Sequence, residues 1–350
     1  MNKVKATFLS FVGGGLLFLG VPAFAQSDKV AISISYQPAI YGLGIEIATA
    51  KGWWEEAGLD PQFTMFPSGA PQIAAAAAGD WDVGLIGAPP AVLGASRIGL
   101  QTIGVATVEG NANVVLARPD QAEQIRDDPS LLKGKPFLLS TNSTAEYAAW
   151  GCLSKLGLQK GDMQFVNLSP SQIVSAFTNG EGTLAATFTP FAYTIEQHAG
   201  AVRLCSAADA DLFLLSAIVV RPEYAEADKQ AVAKFLATYL RAIQWIKNNQ
   251  EEAQTMLKEF YAKNGVLIED KYMLQEMSQD RQQYSLEQQL EAFSRASGPS
   301  TIDQAFDSFM DYLIETGTIQ QKLEPESFIS DEYLQMIEAD PELKAWANNQ

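Results

Sequence analysis

Apolar residues along the chain fall into short β-rich runs separated by stretches with helical spacing. Residues 30–35 alternate Val and Ile with small or polar partners and read as a strand. Residues 45–57 are expected as a helix, with Gly58 as the stop at its C-terminus. A strand over 62–66, a helix over 71–78 and a strand over 83–86 follow. Strands and helices alternating in this order predict parallel βαβ units and an α/β fold. Farther on, residues 228–248 have the spacing of a long amphipathic helix, with Val232, Phe235, Leu236, Tyr239, Leu240 and Ile243 on one face. Later helices end near Gly317, and 343–350 is expected to be a poorly ordered tail.

The pattern repeats. Residues 71–89 (PQIAAAAAGDWDVGLIGAP) and 171–190 (SQIVSAFTNGEGTLAATFTP) both run Gln-Ile, an Ala-containing helix, Gly, an acidic residue, a strand and a loop ending in Pro. Each copy follows a strand, at 62–66 and at 164–168. A second pair agrees: 30–60 and 136–162 each run strand, polar loop, helix and a Gly-Leu pair (Gly58-Leu59, Gly157-Leu158). Two matched pairs in the same order favour two similar α/β lobes.

The N-terminus assigns a compartment. Lys3 and Lys5 precede an uncharged apolar run over 6–21, and Ala23-Phe24-Ala25 stands before Gln26 as a cleavage site. This is the layout of a secretory signal peptide at 1–25, and the run is shorter than the roughly 20 residues a membrane-spanning helix needs. With no Cys near the cleavage point, a lipid-anchored form is not expected. The remaining 26–350 is long enough for two domains.

Charge and reactive residues exclude more than they select. The net charge of −17 repels phosphate backbones, and no basic stripe offsets it, so nucleic acid is not an expected partner. His198 is the only histidine and has no Cys or carboxylate at ligand spacing, so neither a metal nor a cofactor is expected. An oxidising compartment permits a Cys152–Cys205 bond, but two buried small side chains are the preferred reading of this pair. There is no Gly-x-Ser-x-Gly elbow, P-loop or HExxH segment, and an enzyme would need an unrecognised carboxylate-based site.

In open α/β sheets, ligands bind beyond the carboxyl ends of the strands, where helix N-termini converge. That rule selects five loops: 36–41, 67–71, 87–90, 140–147 and 187–190. None contains Lys or Arg, and Glu146 is their only charge. An anion would therefore be held by neutral donors and helix dipoles without a salt bridge. Ser143-Thr144-Ala145-Glu146 also reads as a capping box, which accounts for Ser143 and Glu146 without a ligand. Ser68 can serve as a cap with Pro71 in the first turn, and Tyr36 and Phe188 can simply pack the cleft walls.

Several of these segments resemble the nitrate/sulfonate/taurine class of periplasmic solute-binding proteins. In the first lobe they are Ser35-Tyr36-Gln37, Phe66-Pro67-Ser68-Gly69, Gly79-Asp80-Trp81-Asp82-Val83-Gly84 and Gly87-Ala88-Pro89-Pro90. In the second, Lys133-Gly134-Lys135, Ser143-Thr144-Ala145-Glu146-Tyr147, Val166-Asn167-Leu168 and 180–190 resemble the taurine-binding members in particular. The similarity runs from Val30 to Tyr333.

The resemblance implies a type II periplasmic-binding-protein fold, two α/β lobes joined by a two-strand hinge. The expected division is 26–115 plus 217–337 in lobe 1, 116–216 in lobe 2 and a tail over 338–350. It also implies a monomeric receptor for a small-molecule solute, delivered to the membrane permease of an ABC importer with its cytoplasmic ATPase. Carried over by position, the ligand contacts are Tyr36, Gln37, Ser68, Gly69, Ala88, Pro89, Ser143, Thr144, Tyr147 and Phe188. Ser216 stands where taurine binders have an Asp, Glu146 where they often have His, and Phe188-Thr189 replaces a common Trp. Loss of the Asp shifts the expected solute from taurine toward an alkanesulfonate or another small anion. A neutral heterocycle such as a thiamine-precursor pyrimidine, or an enzymatic role, stays open.

Overall fold

The computed structural model describes residues 29–349, so the expected signal peptide at 1–25 lies outside the described residues. Ten strands form two sheets of five. The first sheet contains β1 (Val30–Tyr36), β2 (Leu59–Met65), β3 (Val83–Gly87), β4 (Gln101–Val108) and, from much later in the chain, β10 (Leu215–Val220), in the order β2-β1-β3-β10-β4. The second contains β5 (Asn113–Ala117), β6 (Pro136–Leu139), β7 (Gln164–Asn167), β8 (Leu184–Phe188) and β9 (Val202–Ser206), in the order β7-β6-β8-β5-β9.

The two orders are the same pattern. In each sheet three parallel strands built by βαβ units come first, and the fourth strand is antiparallel to both neighbours. That fourth strand is borrowed across the molecule: β5 follows β4 into the second sheet and β10 follows β9 back into the first. The chain therefore crosses between the lobes twice, at 109–112 and 207–214. The internal echo seen in the residues is this duplication, with the helices Gly69–Ala78 and Pro170–Thr178 as counterparts.

The first helix differs from its expected span of 45–57. It begins at Tyr41, ends at Ala50, and is followed after Gly52 by a separate turn, Trp53–Glu56. Gly52 adopts φ 72°, a left-handed conformation that stops the helix. The early start includes Gly42 and Gly44, poor helix formers whose lack of a side chain is required here. A Cβ on Gly42 would lie 2.8 Å from Phe260 Cζ, and one on Gly44 2.7 Å from Tyr239 Cε2. Tertiary packing overrides local propensity at this point.

The long helix Lys229–Asn248 buries the expected face of Val232, Phe235, Leu236, Tyr239, Leu240 and Ile243 against the first lobe. The expectation of a poorly ordered tail is corrected: Pro341–Ala347 is a helix, capped by Asp340 and packed on Lys229–Asn248. Trp346 Nε1 donates to Thr238 Oγ1 at 3.0 Å, and the Arg241 guanidinium lies 3.9 Å from the Trp346 ring centre. A cation over an indole face adds to the area it buries.

The reading of Cys152 and Cys205 as two thiols is also corrected. They form a disulfide with Cα atoms 5.8 Å apart, joining the helix Thr144–Lys155 to β9. The helix packs across β5 and β9, bringing together two cysteines 53 residues apart in sequence.

Candidate functional site

The carboxyl ends of β1, β3 and β8 and the start of the helix Thr144–Lys155 converge where the two lobes meet. There Gln37, Tyr41, Gly87, Glu109, Thr144, Phe188, Ser216 and Arg281 line a small cavity of about 20 Å³. That is room for about one water, far below the range of pockets for drug-sized ligands.

Four of the residues expected to bind a ligand line this cavity: Gln37, Thr144, Phe188 and Ser216. Gln37 is positioned by a buried chain. Its Nε2 donates to Gln72 Oε1 at 2.8 Å, and Gln72 Nε2 donates to Ser35 Oγ at 2.9 Å and to the Leu85 carbonyl at 3.2 Å. The Trp81 indole donates to the Gln72 carbonyl at 2.8 Å. Gln72 thus orients a cavity wall, whereas its repeat counterpart Gln172 caps its own helix by accepting from Ser169 N at 3.0 Å. The same letter in the repeat does two jobs.

The other expected contacts lie around this wall. Tyr36 turns away, its hydroxyl donating to Glu46 Oε1 at 3.2 Å and its ring stacked on Phe260. Ala88 and Pro89 are buried in the first turn of the helix Ala88–Ile98, behind Gly87. Ser68 precedes the helix Gly69–Ala78, and Gly69 abuts Pro90 so closely that a Cβ would meet Pro90 Cγ at 2.6 Å. Ser143 Oγ accepts from Glu146 N at 3.2 Å and donates to the Ser140 carbonyl at 2.7 Å. Glu146 reaches back to accept from Asn142 N at 2.6 Å, so both residues are occupied as caps. Tyr147 packs edge-on against Phe309 and Tyr312, centroids at 4.9 and 5.1 Å, on the seam between lobes. Burial, aided by Asp311, pushes its hydroxyl pKa up to about 12.

The five loops carry no cation, but two charged side chains enter the cavity from elsewhere. Glu109 sits at the crossover after β4, and Arg281 follows the turn Glu276–Asp280. Arg281 Nε lies 3.2 Å from Glu109 Oε2, and its Nη1 donates to Glu276 Oε1 at 3.1 Å. Ser216 Oγ donates to Glu109 Oε1 at 3.1 Å and Thr107 Oγ1 to Oε2 at 3.3 Å. An acid thus stands beside Ser216, supplied by the crossover after β4.

Burial raises the Glu109 pKa above the ordinary carboxylate value, opposed by Arg281 and by the hydroxyl of Ser216. For Arg281, burial works downward, and the carboxylates of Glu276 and Glu109 overcome it and raise the pKa. Tyr41 is raised by burial and then by Glu109. No local pattern marks Glu109 or Arg281 in the sequence. Tyr41 and Gly87 did lie inside the expected loops.

The segment carrying Arg281 is clasped by the second lobe. Asp280 Oδ2 accepts from the Tyr193 hydroxyl at 2.7 Å and pairs with Arg203 Nη1 at 2.9 Å. Arg203 Nε also pairs with Glu196 Oε1 at 2.6 Å.

Two α/β lobes of matching strand order, crossed twice by the chain and enclosing a small polar cavity, are a type II periplasmic-binding-protein fold. The chain belongs to the NMT1/THI5-like family, whose model matches residues 39–253. Among similar proteins, a putative binding protein of Brucella abortus is 28% identical over 257 residues, covering 72% of this chain and 78% of its own. A putative aliphatic sulfonates-binding protein of Bacillus subtilis is 27% identical over 247 residues, covering 69% and 72%. Among solved structures, the periplasmic aliphatic sulphonate binding protein SsuA from Escherichia coli superposes with a TM-score of 0.68 at 19% identity, covering 86% of this chain and 92% of that one. All three carry the names of binding proteins.

Proposed function

We propose that this chain is the solute-binding component of an ABC importer, secreted into the periplasm through a cleaved leader at 1–25 and acting as a monomer. It captures a small organic solute, an alkanesulfonate or taurine-like compound, between two lobes joined by the crossings at 109–112 and 207–214, a few residues from the expected boundaries at 115 and 216. It then passes the solute to the membrane permease, which a cytoplasmic ATPase drives. The observation that carries this reading is the cavity at the lobe junction, walled by both sheets and by the crossing segments. Closure about such a crossing is a known way to enclose a ligand, and the sulfonate-binding names of relatives support the solute class.

In this reading Gln37 and Thr144 hold the anionic end, with N–H groups at the starts of the helices Thr144–Lys155 and Ala88–Ile98. Phe188 packs the apolar part. Ser68, Gly69, Ala88, Pro89, Ser143, Tyr36 and Tyr147 shape and support the wall. The two aromatic rings that border the cavity, Tyr41 and Phe188, favour one second reading, a small heterocycle such as a pyrimidine held by stacking.

Thermal unfolding of the purified protein, screened with alkanesulfonates, taurine, nitrate and pyrimidines, tests both. A bound solute at a hundred times its Kd stabilises by about 2.7 kcal/mol, a rise of several degrees in Tm. A shift from pyrimidines alone replaces the sulfonate reading. Turnover of a bound solute overturns the receptor reading altogether.

A further inference from the structure

Glu109 is the cavity's singular feature. It is 1% exposed, yet it lines the cavity where the two lobes meet. Its carboxylate is fixed in orientation, with Ser216 on one oxygen and Thr107 and Arg281 on the other. Glu109 does not have Arg281 to itself, because the same guanidinium serves Glu276, which is fully buried. Glu276 also accepts from the Tyr261 hydroxyl at 3.0 Å, while its other oxygen has no hydrogen-bond partner among the described residues. Two carboxylates facing one guanidinium leave a surplus negative charge in a water-poor site, an arrangement that is costly unless a further cation or a proton offsets it.

We infer that Glu109 is a cation subsite and that the captured solute carries a protonated amine, placed against this carboxylate while its anionic or polar end lies toward Gln37 and Thr144. This inference rests on the capture role proposed above. An ammonium beside Glu109 completes the charge balance of the cluster; an anion in the same place meets an uncompensated carboxylate. Burial raises the Glu109 pKa, so a proton takes the place of the cation more readily than at an exposed carboxylate. The other charged or titratable groups facing it are Arg281, Tyr41 and, through Arg281, Glu276.

The test uses three probes that differ at one end: 2-aminoethanesulfonate, 2-hydroxyethanesulfonate and propanesulfonate, with an aminopyrimidine and its des-amino analogue as a second pair. Affinities are measured by titration calorimetry on the full secreted chain. The wild type is expected to bind the amine member roughly tenfold to a hundredfold more tightly than its amine-free partners, the range for one hydrogen bond to a charged group. E109Q, which keeps the shape, is expected to erase that preference.

Amine preference within the pyrimidine pair alone, lost in E109Q, supports the cation subsite and rejects the sulfonate solute. Equal or tighter binding of the amine-free members by the wild type overturns the subsite while the receptor reading stands. Binding of no amine probe overturns it as well. The wild-type ranking decides even if E109Q does not fold.

Discussion

Replacing Arg281 by Met keeps most of the side-chain volume and removes the charge, leaving Glu109 and Glu276 facing each other without a cation. The three side chains are 1%, 2% and 0% exposed, so water cannot substitute for the guanidinium. Two charge-assisted contacts at about 1.5–3 kcal/mol each set the scale. Breaking a buried pair by removing one partner costs about 3–5 kcal/mol, which agrees. That is a large fraction of a typical stability of about 5–15 kcal/mol.

The loss has a signed pH dependence. Burial places the folded-state pKa of Glu109 above its ordinary value of 4.5. The folded state therefore binds more protons than the unfolded chain between those two values, and stability falls as pH rises through them. Without Arg281, whose charge pulls in the opposite direction, that window extends upward. The deficit of R281M is expected to be full above the raised pKa and to shrink as pH falls toward 4.5. Urea unfolding followed by tryptophan fluorescence, with the disulfide intact and no solute added, reads it at several pH values. A deficit below about 1 kcal/mol, or one of equal size at every pH, would refute the charge argument.

Thr144→Val removes the one hydroxyl that the second lobe's helix presents to the cavity; it should weaken solute binding about tenfold with unfolding unchanged, as calorimetry and urea melts would report. Replacing both Cys152 and Cys205 by Ser opens a loop closed over 53 residues, and chain entropy predicts a loss of about 4 kcal/mol, read by comparing unfolding of the variant with that of the oxidised protein. Gly44→Ala forces a Cβ to within 2.7 Å of Tyr239, so the early turn of the first helix should lose about 1–3 kcal/mol although alanine is the better helix former. A gain in Tm for that variant would mean the ring has room to move.

The division between local and long-range information is visible in the site itself. Gln37, Thr144, Phe188 and Ser216 were reachable from the residues, because strand ends and helix starts leave turn and capping signatures, and short motifs carried a family resemblance. Tyr36 and Tyr147 lay in the right loops, but which way a ring turns depends on Phe260, Phe309 and Tyr312, more than 150 residues away. The cap reading of Glu146 needed only its neighbours, and its contact with Asn142 is local.

Hydrophobic periodicity and the duplicated Gln-Ile-helix-Gly-strand unit were enough to specify alternating strands and helices and two similar halves, since these depend on residues within one turn or one strand of each other. Folding decided what the cavity contains. Glu109, Ser216 and Arg281 come from a crossover, a returning strand and a late turn, and only the crossed sheets bring them within hydrogen-bonding distance. The disulfide and the packed C-terminal helix have the same origin, contacts between distant segments that leave no local periodicity. The charge that faces the cavity is thus a property of topology, because a buried carboxylate and its guanidinium need to be neighbours in space and not along the chain.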